Sequence, residues 1–219
     1  IPCCVGLTVK LAGGLTEVPY GDQVGHFRKL SSPQCSLKPG GTITVSWPVD
    51  GKLNTNGPFD ADAFPRKEPK IGILFPEENK GRVEELAAKL RDGVPTDGPR
   101  ESAFPQGMPR KYRLRRMTYT PTTVRLAGDR AAAYKAAALE AAQHDLDLAL
   151  VVISESDKTL FGPASPYYTA KATLMSQGVP VQAITMETIN KLNPYTLNNL
   201  ALSLYAKLGG IPWTLSVQQ

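Results

Sequence analysis

Residues 148–185, LALVVISESDKTLFGPASPYYTAKATLMSQGVPVQAIT, decide the fold. The run LALVVIS (148–154) is apolar without a break, as expected of a parallel strand covered on both faces. SPYYTAKATLMSQG (165–178) reads as a helix and VPVQAIT (179–185) as the strand after it. A polar loop, SESDKTLFGPASP, joins the first strand to that helix. In open α/β sheets ligands sit beyond the carboxyl ends of strands, near the starts of the following helices, so this loop marks where a ligand belongs.

Upstream the same alternation continues. KIGILF (70–75) is a compact buried-strand signal, and NKGRVEELAAKLRDG (79–93) follows it with Val83, Leu86, Ala87 and Leu90 at helical spacing and Gly93 as a stop. A Pro- and Gly-rich insert, Val94–Pro109, precedes YRLRRMTY (112–119), which reads as a strand, and GDRAAAYKAAALEAAQHD (128–145), an alanine-rich helix. Downstream, NPYTLNNLALSLYAKLGG (193–210) reads as a final helix ending at Gly209. The repeated strand and helix order predicts an α/β fold, a Rossmann-like open, mostly parallel sheet flanked by helices. Residues 1–65 contain short alternating runs, GLTVKL and GTITVSW, and read as an extended or β linker rather than helix. The turn-rich NGPFDADAFPRKEP (56–69) makes the boundary, giving a lead-in over 1–65, a main domain over 66–208 and a further segment over 209–219. Neither GxGxxG nor a P-loop occurs.

The net charge of +5 is unevenly placed: 1–65 holds five basic and five acidic side chains, 66–219 twenty and fifteen. Arg100–Lys135 is densest, with nine basic residues against Glu101 and Asp129, and includes the run RKYRLRR (110–116). Such a run serves as a solvated face or as a polyanion-binding one. Three cysteines, two of them adjacent, argue against a disulfide framework, and two histidines without paired C-x-x-C spacing give zinc no ligand set. No apolar run has the length to cross a bilayer and the start has no secretory pattern, so the chain reads as cytoplasmic with no membrane partner. It begins without methionine and reads as a piece of something longer.

From Lys158 to Gln219 there are four lysines, no arginine and one carboxylate, Glu187, so an anion would meet little repulsion there. Three groups suited to a phosphate stand in this region: Lys171, Gln182 and Lys207. Tyr167 and Lys171 are four apart on one helix and share a face; the tyrosine can stack on a base and the lysine can reach a phosphate oxygen. Gln182, on an otherwise apolar strand, needs a partner, which a ligand oxygen or a structural hydrogen bond supplies equally well. Asn199, Ser203 and Lys207 follow at intervals of four along the last helix, where a terminal lysine equally complements the helix dipole. Taken singly, each of these residues is also ordinary packing or surface.

In combination, SPYY with Lys171, QGVPVQ with Gln182, and TLNNLALSLYAKLGGIPW (196–213) resemble the MID domain of Argonaute proteins running into the first residues of PIWI, over 209–219. NGPFD is similar to the segment that precedes the MID sheet. The resemblance covers residues 56–219 and implies a pocket for the 5′-phosphorylated end of a guide RNA or DNA. It gives Tyr167 the stacking role on a flipped first base and Lys171, Gln182 and Lys207 the phosphate, with Asn199 and Ser203 on the same helix. The loop of Asp157, Lys158, Thr159, Leu160, Phe161, Gly162, Pro163, Ala164, Ser165 and Pro166 corresponds to the one that screens base identity. Tyr168, three residues before Lys171, is the competing stacker; the four-residue spacing of Tyr167 fits the family pattern.

Many eukaryotic members carry a lysine where this chain has Ser203. In prokaryotic members a divalent cation often replaces that charge, so the resemblance implies Mg²⁺ bridging the guide phosphate, with Gln182 contacting it indirectly. The family's cutting activity resides in PIWI carboxylates, and beyond Glu187 this chain has no Asp or Glu, so it is expected to bind rather than cut, within a guided silencing or host-defence protein. Two other classes stay open: an α/β domain for a small nucleotide or sugar phosphate, disfavoured by the lack of a base, nucleophile or phosphate loop, and an interaction module whose RKYRLRR meets an acidic partner.

Overall fold

A computed structural model describes residues 2–4, 7–8, 34–46, 49–96 and 102–216. The chain divides into two compact units, 1–32 and 33–219. In the first, β1 (Pro2–Cys4) pairs antiparallel with β2 (Leu7–Thr8); the rest of the expected run GLTVKL lies outside the described residues.

In the second unit, β3 (Gln34–Ser36) and β4 (Thr44–Ser46) form an antiparallel hairpin, followed by the short helix α1 (Asp50–Asn56). The main sheet then begins. Its elements are β5 (Lys70–Pro76), α2 (Lys80–Asp92), α3 (Gly107–Lys111), β6 (Thr118–Val124), α4 (Arg130–Ala141), β7 (Leu148–Ile153), α5 (Pro166–Ser176), β8 (Val181–Thr185), α6 (Met186–Asn190), α7 (Pro194–Lys207) and β9 (Thr214–Leu215). β9 returns to pair antiparallel with β3.

The four-stranded sheet has the order β6-β5-β7-β8 and is parallel throughout. Every residue of β7 is buried, as is β5 beyond Lys70. Alternate residues of these strands serve opposite faces. Ile71, Ile73, Phe75, Leu148, Leu150 and Val152 join one core with Leu86 and Leu90 of α2 and Leu197 and Leu204 of α7. Leu74, Ala149, Val151 and Ile153 join the other with Tyr134 and Ala138 of α4 and Ala170 and Leu174 of α5. The alanines of α4 bring it close to α5 and the sheet, which suits a central strand of small and β-branched residues. β6 is an edge strand, and its exposed Pro121 is tolerated there because a proline cannot donate to a neighbour on the open side.

The helices start where their caps predict. Asp129 accepts from the Ala131 amide (2.9 Å), Ser165 from Tyr168 (3.3 Å) and Asn193 from Thr196 (3.0 Å), with Pro166 and Pro194 as first helical residues.

One local expectation fails, and two short helices are ones the sequence did not announce. YRLRRMTY is not a strand: Tyr112 closes α3, Arg113 takes a left-handed backbone (φ 55°), and extended pairing starts only at Thr118. The alternation that suggested a strand instead sends Tyr112 and Leu114 into the core by a turn, where Tyr112 stacks on Tyr205 with centroids 4.3 Å apart. The insert contains α3, and the lead-in contains α1; helices this short carry too few turns to declare a period in sequence.

NGPFD is a fastening to the end of the chain. The Asp60 carboxylate accepts from the Tyr205 hydroxyl (2.6 Å) and the Ile211 amide (2.8 Å), and the Phe59 amide donates to the Pro212 carbonyl (2.9 Å). Burial first, and then Asp60, pushes the Tyr205 hydroxyl above its ordinary range, so it stays a donor.

A candidate nucleic-acid interface at the carboxyl ends of the strands

A cavity of about 540 Å³ opens where β7 and β8 end. Tyr167 from α5, Gln182 from β8, and Asn199 and Ser203 from α7 line it together, so four residues from three elements converge on one space. Tyr168 lines it too. Tyr167 is half-buried against the core that holds α4 and α5, and the Lys171 Nζ stands 5.6 Å from the centroid of its ring. Lys171 makes no ion pair among the described residues. It is not among the residues that line the cavity; its ammonium rests over the ring of Tyr167, which does.

Gln182 donates Nε2 to the Ala183 carbonyl (2.8 Å), which leaves one N–H and its amide oxygen for another partner. The Ser203 hydroxyl donates to the Asn199 carbonyl one turn back (3.0 Å). Lys207 is set apart from these residues. It is exposed and lines a separate cavity of about 470 Å³ with Arg66, Asp147 and Pro180. The cause is the direction of α7. Its early residues meet the carboxyl ends of β7 and β8, and its last ones meet the residues that lead into those strands.

The loop 157–166 is anchored from below. Asp157, 2% exposed, sits in a bidentate pair with Arg130: Nη2 is 2.9 Å from one carboxylate oxygen and Nε 3.2 Å from the other. It also accepts from the Ser154 amide (2.9 Å). Burial pushes the Asp157 carboxyl up, but the hydrogen bonds from Arg130 and from the Ser154 amide and hydroxyl, with the Arg130 charge, outweigh it and hold the group below its ordinary range. Lys158 pairs with Glu155, and Ser165 caps α5. Leu160 and Phe161 are exposed at the tip.

Thr185, Thr188 and Thr196 add hydroxyls to the cavity and were not singled out in sequence, although Thr185 stands at a strand-to-helix junction where its side chain caps α6. Arg130, which fixes the loop, gave no signal at 27 positions' distance from Asp157. The run RKYRLRR is largely spent on structure. Lys111 is buried and donates to Asn198, Arg113 donates to the carbonyls of Arg110 (2.7 Å) and Thr55 (2.6 Å), and Arg115 lies 3.6 Å from Glu68.

An open parallel sheet with a cavity beyond its strand ends, where hydroxyls and amides stand among apolar side chains, defines the doubly wound α/β class, in which ligands bind at that edge. No protein-family model matches the chain. Over 173 residues it is 31% identical to the protein argonaute of Cereibacter sphaeroides (strain ATCC 17025 / ATH 2.4.3), a match that covers 75% of this chain and 22% of that protein. The fold is similar to that of Aa-Ago, crystallised with externally bound siRNA (TM-score 0.54, 20% identity, 86% of this chain and 25% of that one). It is also similar to Drosophila Piwi (TM-score 0.52, 15% identity, 88% and 24%). The chain belongs to the Argonaute family as a domain with a Rossmann-like fold, and spans about a fifth of the length of the curated relative. Among the described residues no helix is long and apolar enough to cross a membrane.

Proposed function

We propose that the chain is the MID domain of an Argonaute protein and holds the 5′-phosphorylated end of a guide RNA or DNA. Its own role is binding; the parent protein's PIWI domain is its partner and the place for any cutting. The reading rests above all on the convergence of Tyr167, Gln182, Asn199 and Ser203 on one cavity, with the unpaired Lys171 beside Tyr167. Tyr167 offers its ring to the first base, and Lys171 gives charge-assisted hydrogen bonds to the phosphate. Gln182 adds an amide N–H. Lys207 is the weakest member of this set, since it must reach back from the neighbouring cavity.

Among the described residues no group of three or more His, Cys, Asp or Glu side chains could hold a metal ion. Asp157, the carboxylate at the cavity, is committed to Arg130. Mg²⁺ would therefore fit here only together with the guide phosphate, and Gln182, with its free amide oxygen, is the residue that would help hold it. Bound there, the ion supplies the positive charge that Ser203 does not.

The test is the affinity of a short oligonucleotide with and without its 5′ phosphate, with and without Mg²⁺. The phosphate should improve binding and Mg²⁺ should enlarge that gain. Lys171→Ala should remove about 10- to 100-fold of it, the worth of a charge-assisted hydrogen bond. Equal affinity for phosphate and hydroxyl ends would sink the reading, and a nucleoside monophosphate binding as tightly as the oligonucleotide would favour a small-molecule site.

A further inference from the structure

The first turn of the loop after β7, residues 156–160, stands between two cavities. Asp157 and Leu160 line both the candidate cavity and a second one of about 550 Å³, which reaches behind the turn to Pro76 at the end of β5, Asn79 and Met186. A segment with open space on either side is not located by close packing, as interior segments are, so its polar ties decide where it stands. Most of those ties are local. Asp157 and Lys158 bond back to Ser154 and Glu155, and the Thr159 hydroxyl donates to the Ser156 carbonyl (2.8 Å). Among the described residues, the one hydrogen-bonded link from 156–160 to another helix or strand is the pair of bonds from Arg130 to Asp157.

Arg130 is itself firmly placed. It is the first residue of α4, directly after the Asp129 cap, and one turn on the buried Tyr134 donates to the Val152 carbonyl (2.6 Å), which ties α4 to the strand that the loop leaves. A two-pronged guanidinium–carboxylate pair fixes direction as well as distance, which an ammonium in the same place does not. The position of the turn matters to whatever fills the candidate cavity, because Lys158, Leu160 and, from the far end of the loop, Ser165 form part of its wall together with Tyr167. Bases that stack alike on a ring differ in the donors and acceptors along their edges. A hydrogen bond to such an edge is lost when its atoms part by less than about 1 Å.

We infer that Arg130 is a positioning residue for the choice of terminal nucleotide. Through Asp157 it holds the 156–160 turn in place between the two cavities, and with it the wall that meets the edge of the first base, while the phosphate is held elsewhere, by Lys171 and Gln182. The inference rests on the function proposed above. It puts the control of base preference on α4, outside the loop that touches the base.

The experiment measures the affinities of 5′-phosphorylated single strands that differ only in the first base, and of the same strands with a 5′ hydroxyl. Wild type, Arg130→Lys and Arg130→Ala are compared at a temperature where circular dichroism finds each of them folded. The wild type should spread the phosphorylated strands over about tenfold, the worth of one hydrogen bond to a base edge. Arg130→Ala should remove most of that spread, and Arg130→Lys, which keeps the charge without the fork, should recover only part of it. The gain from the 5′ phosphate should stay within about twofold of wild type in both variants, as expected of a distant, independent site. A fall in affinity by one common factor for all strands, with the spread intact, would overturn the proposal and leave Arg130 a structural residue alone. So would a wild type that binds every first base equally. A spread that narrows in the variants while the 5′ phosphate adds nothing in any of the proteins would keep the positioning role and refute the anchoring function instead.

Discussion

Arg130→Ala offers the sharpest test of how the cavity rim is held. The substitution removes both guanidinium bonds to Asp157 and leaves a carboxylate that is 2% exposed with the Ser154 amide as its partner. Breaking a fully buried pair costs about 3–5 kcal/mol. The Arg130 side chain is itself 41% exposed, so water already screens part of the attraction, and about 2–3 kcal/mol is the expected loss at neutral pH. For a unit of this size that lowers Tm by roughly 5–10 °C.

The pH dependence has a definite sign. The folded carboxyl of Asp157 titrates below its unfolded counterpart, so its contribution is complete above the ordinary carboxylate range, near pH 4, and is lost as pH falls through the depressed folded value. Urea unfolding of the two proteins should therefore show a constant difference between about pH 5 and 8 that shrinks below about pH 4. Equal stabilities at pH 7, or a difference undiminished in acid, would refute the assignment of Asp157 as an ionised anchor.

Asp60→Ala should cost about 2–4 kcal/mol in urea unfolding, because it deletes two hydrogen bonds to a carboxylate and strands the hydroxyl of the buried Tyr205. Asp60→Asn, keeping an acceptor, should cost less. Ser203→Lys places an ammonium on the cavity wall and should raise affinity for 5′-phosphorylated strands in the absence of Mg²⁺ while flattening their Mg²⁺ response, measured by titration with and without chelator. Arg115→Ala, at a side chain 78% exposed and 3.6 Å from Glu68, should weaken phosphorylated and unphosphorylated strands alike and by no more than severalfold, seen as a shallower salt dependence.

The sheet was legible because its decisive strands are buried on both faces. In LALVVIS and KIGILF the only polar residues, Ser154 and Lys70, stand at an end and leave the buried stretch uninterrupted, and the caps at Ser165 and Asn193 announce the helices between and after them. Spacing put Asn199 and Ser203 on one stripe of a helix, and only the resemblance joined them with Tyr167 and Gln182, which the fold brings to the same cavity. What spacing leaves out is where an element points. Lys207 continues the stripe of Asn199 and Ser203 but opens onto another cavity. Asp157 looked like a loop residue and is a buried anchor, because its partner Arg130 stands on a different helix. The charges of RKYRLRR looked like a surface, yet a left-handed turn at Arg113 directs that side chain onto two carbonyls.

The Asp60 fastening joins residues 145 positions apart, and every strand of the main sheet lies between them. A contact of that span closes a large ring at a cost in chain entropy that grows only with the logarithm of its length. Once the sheet has formed, that entropy is already lost, so the closing residues gain their bonds at little further expense. Fraying from either end must undo this knot before it reaches the strands. The helix that walls the cavity, α7, is held by the same knot through Tyr205, so loosening of the chain beyond Ile211 meets the Asp60 bonds before it reaches that wall.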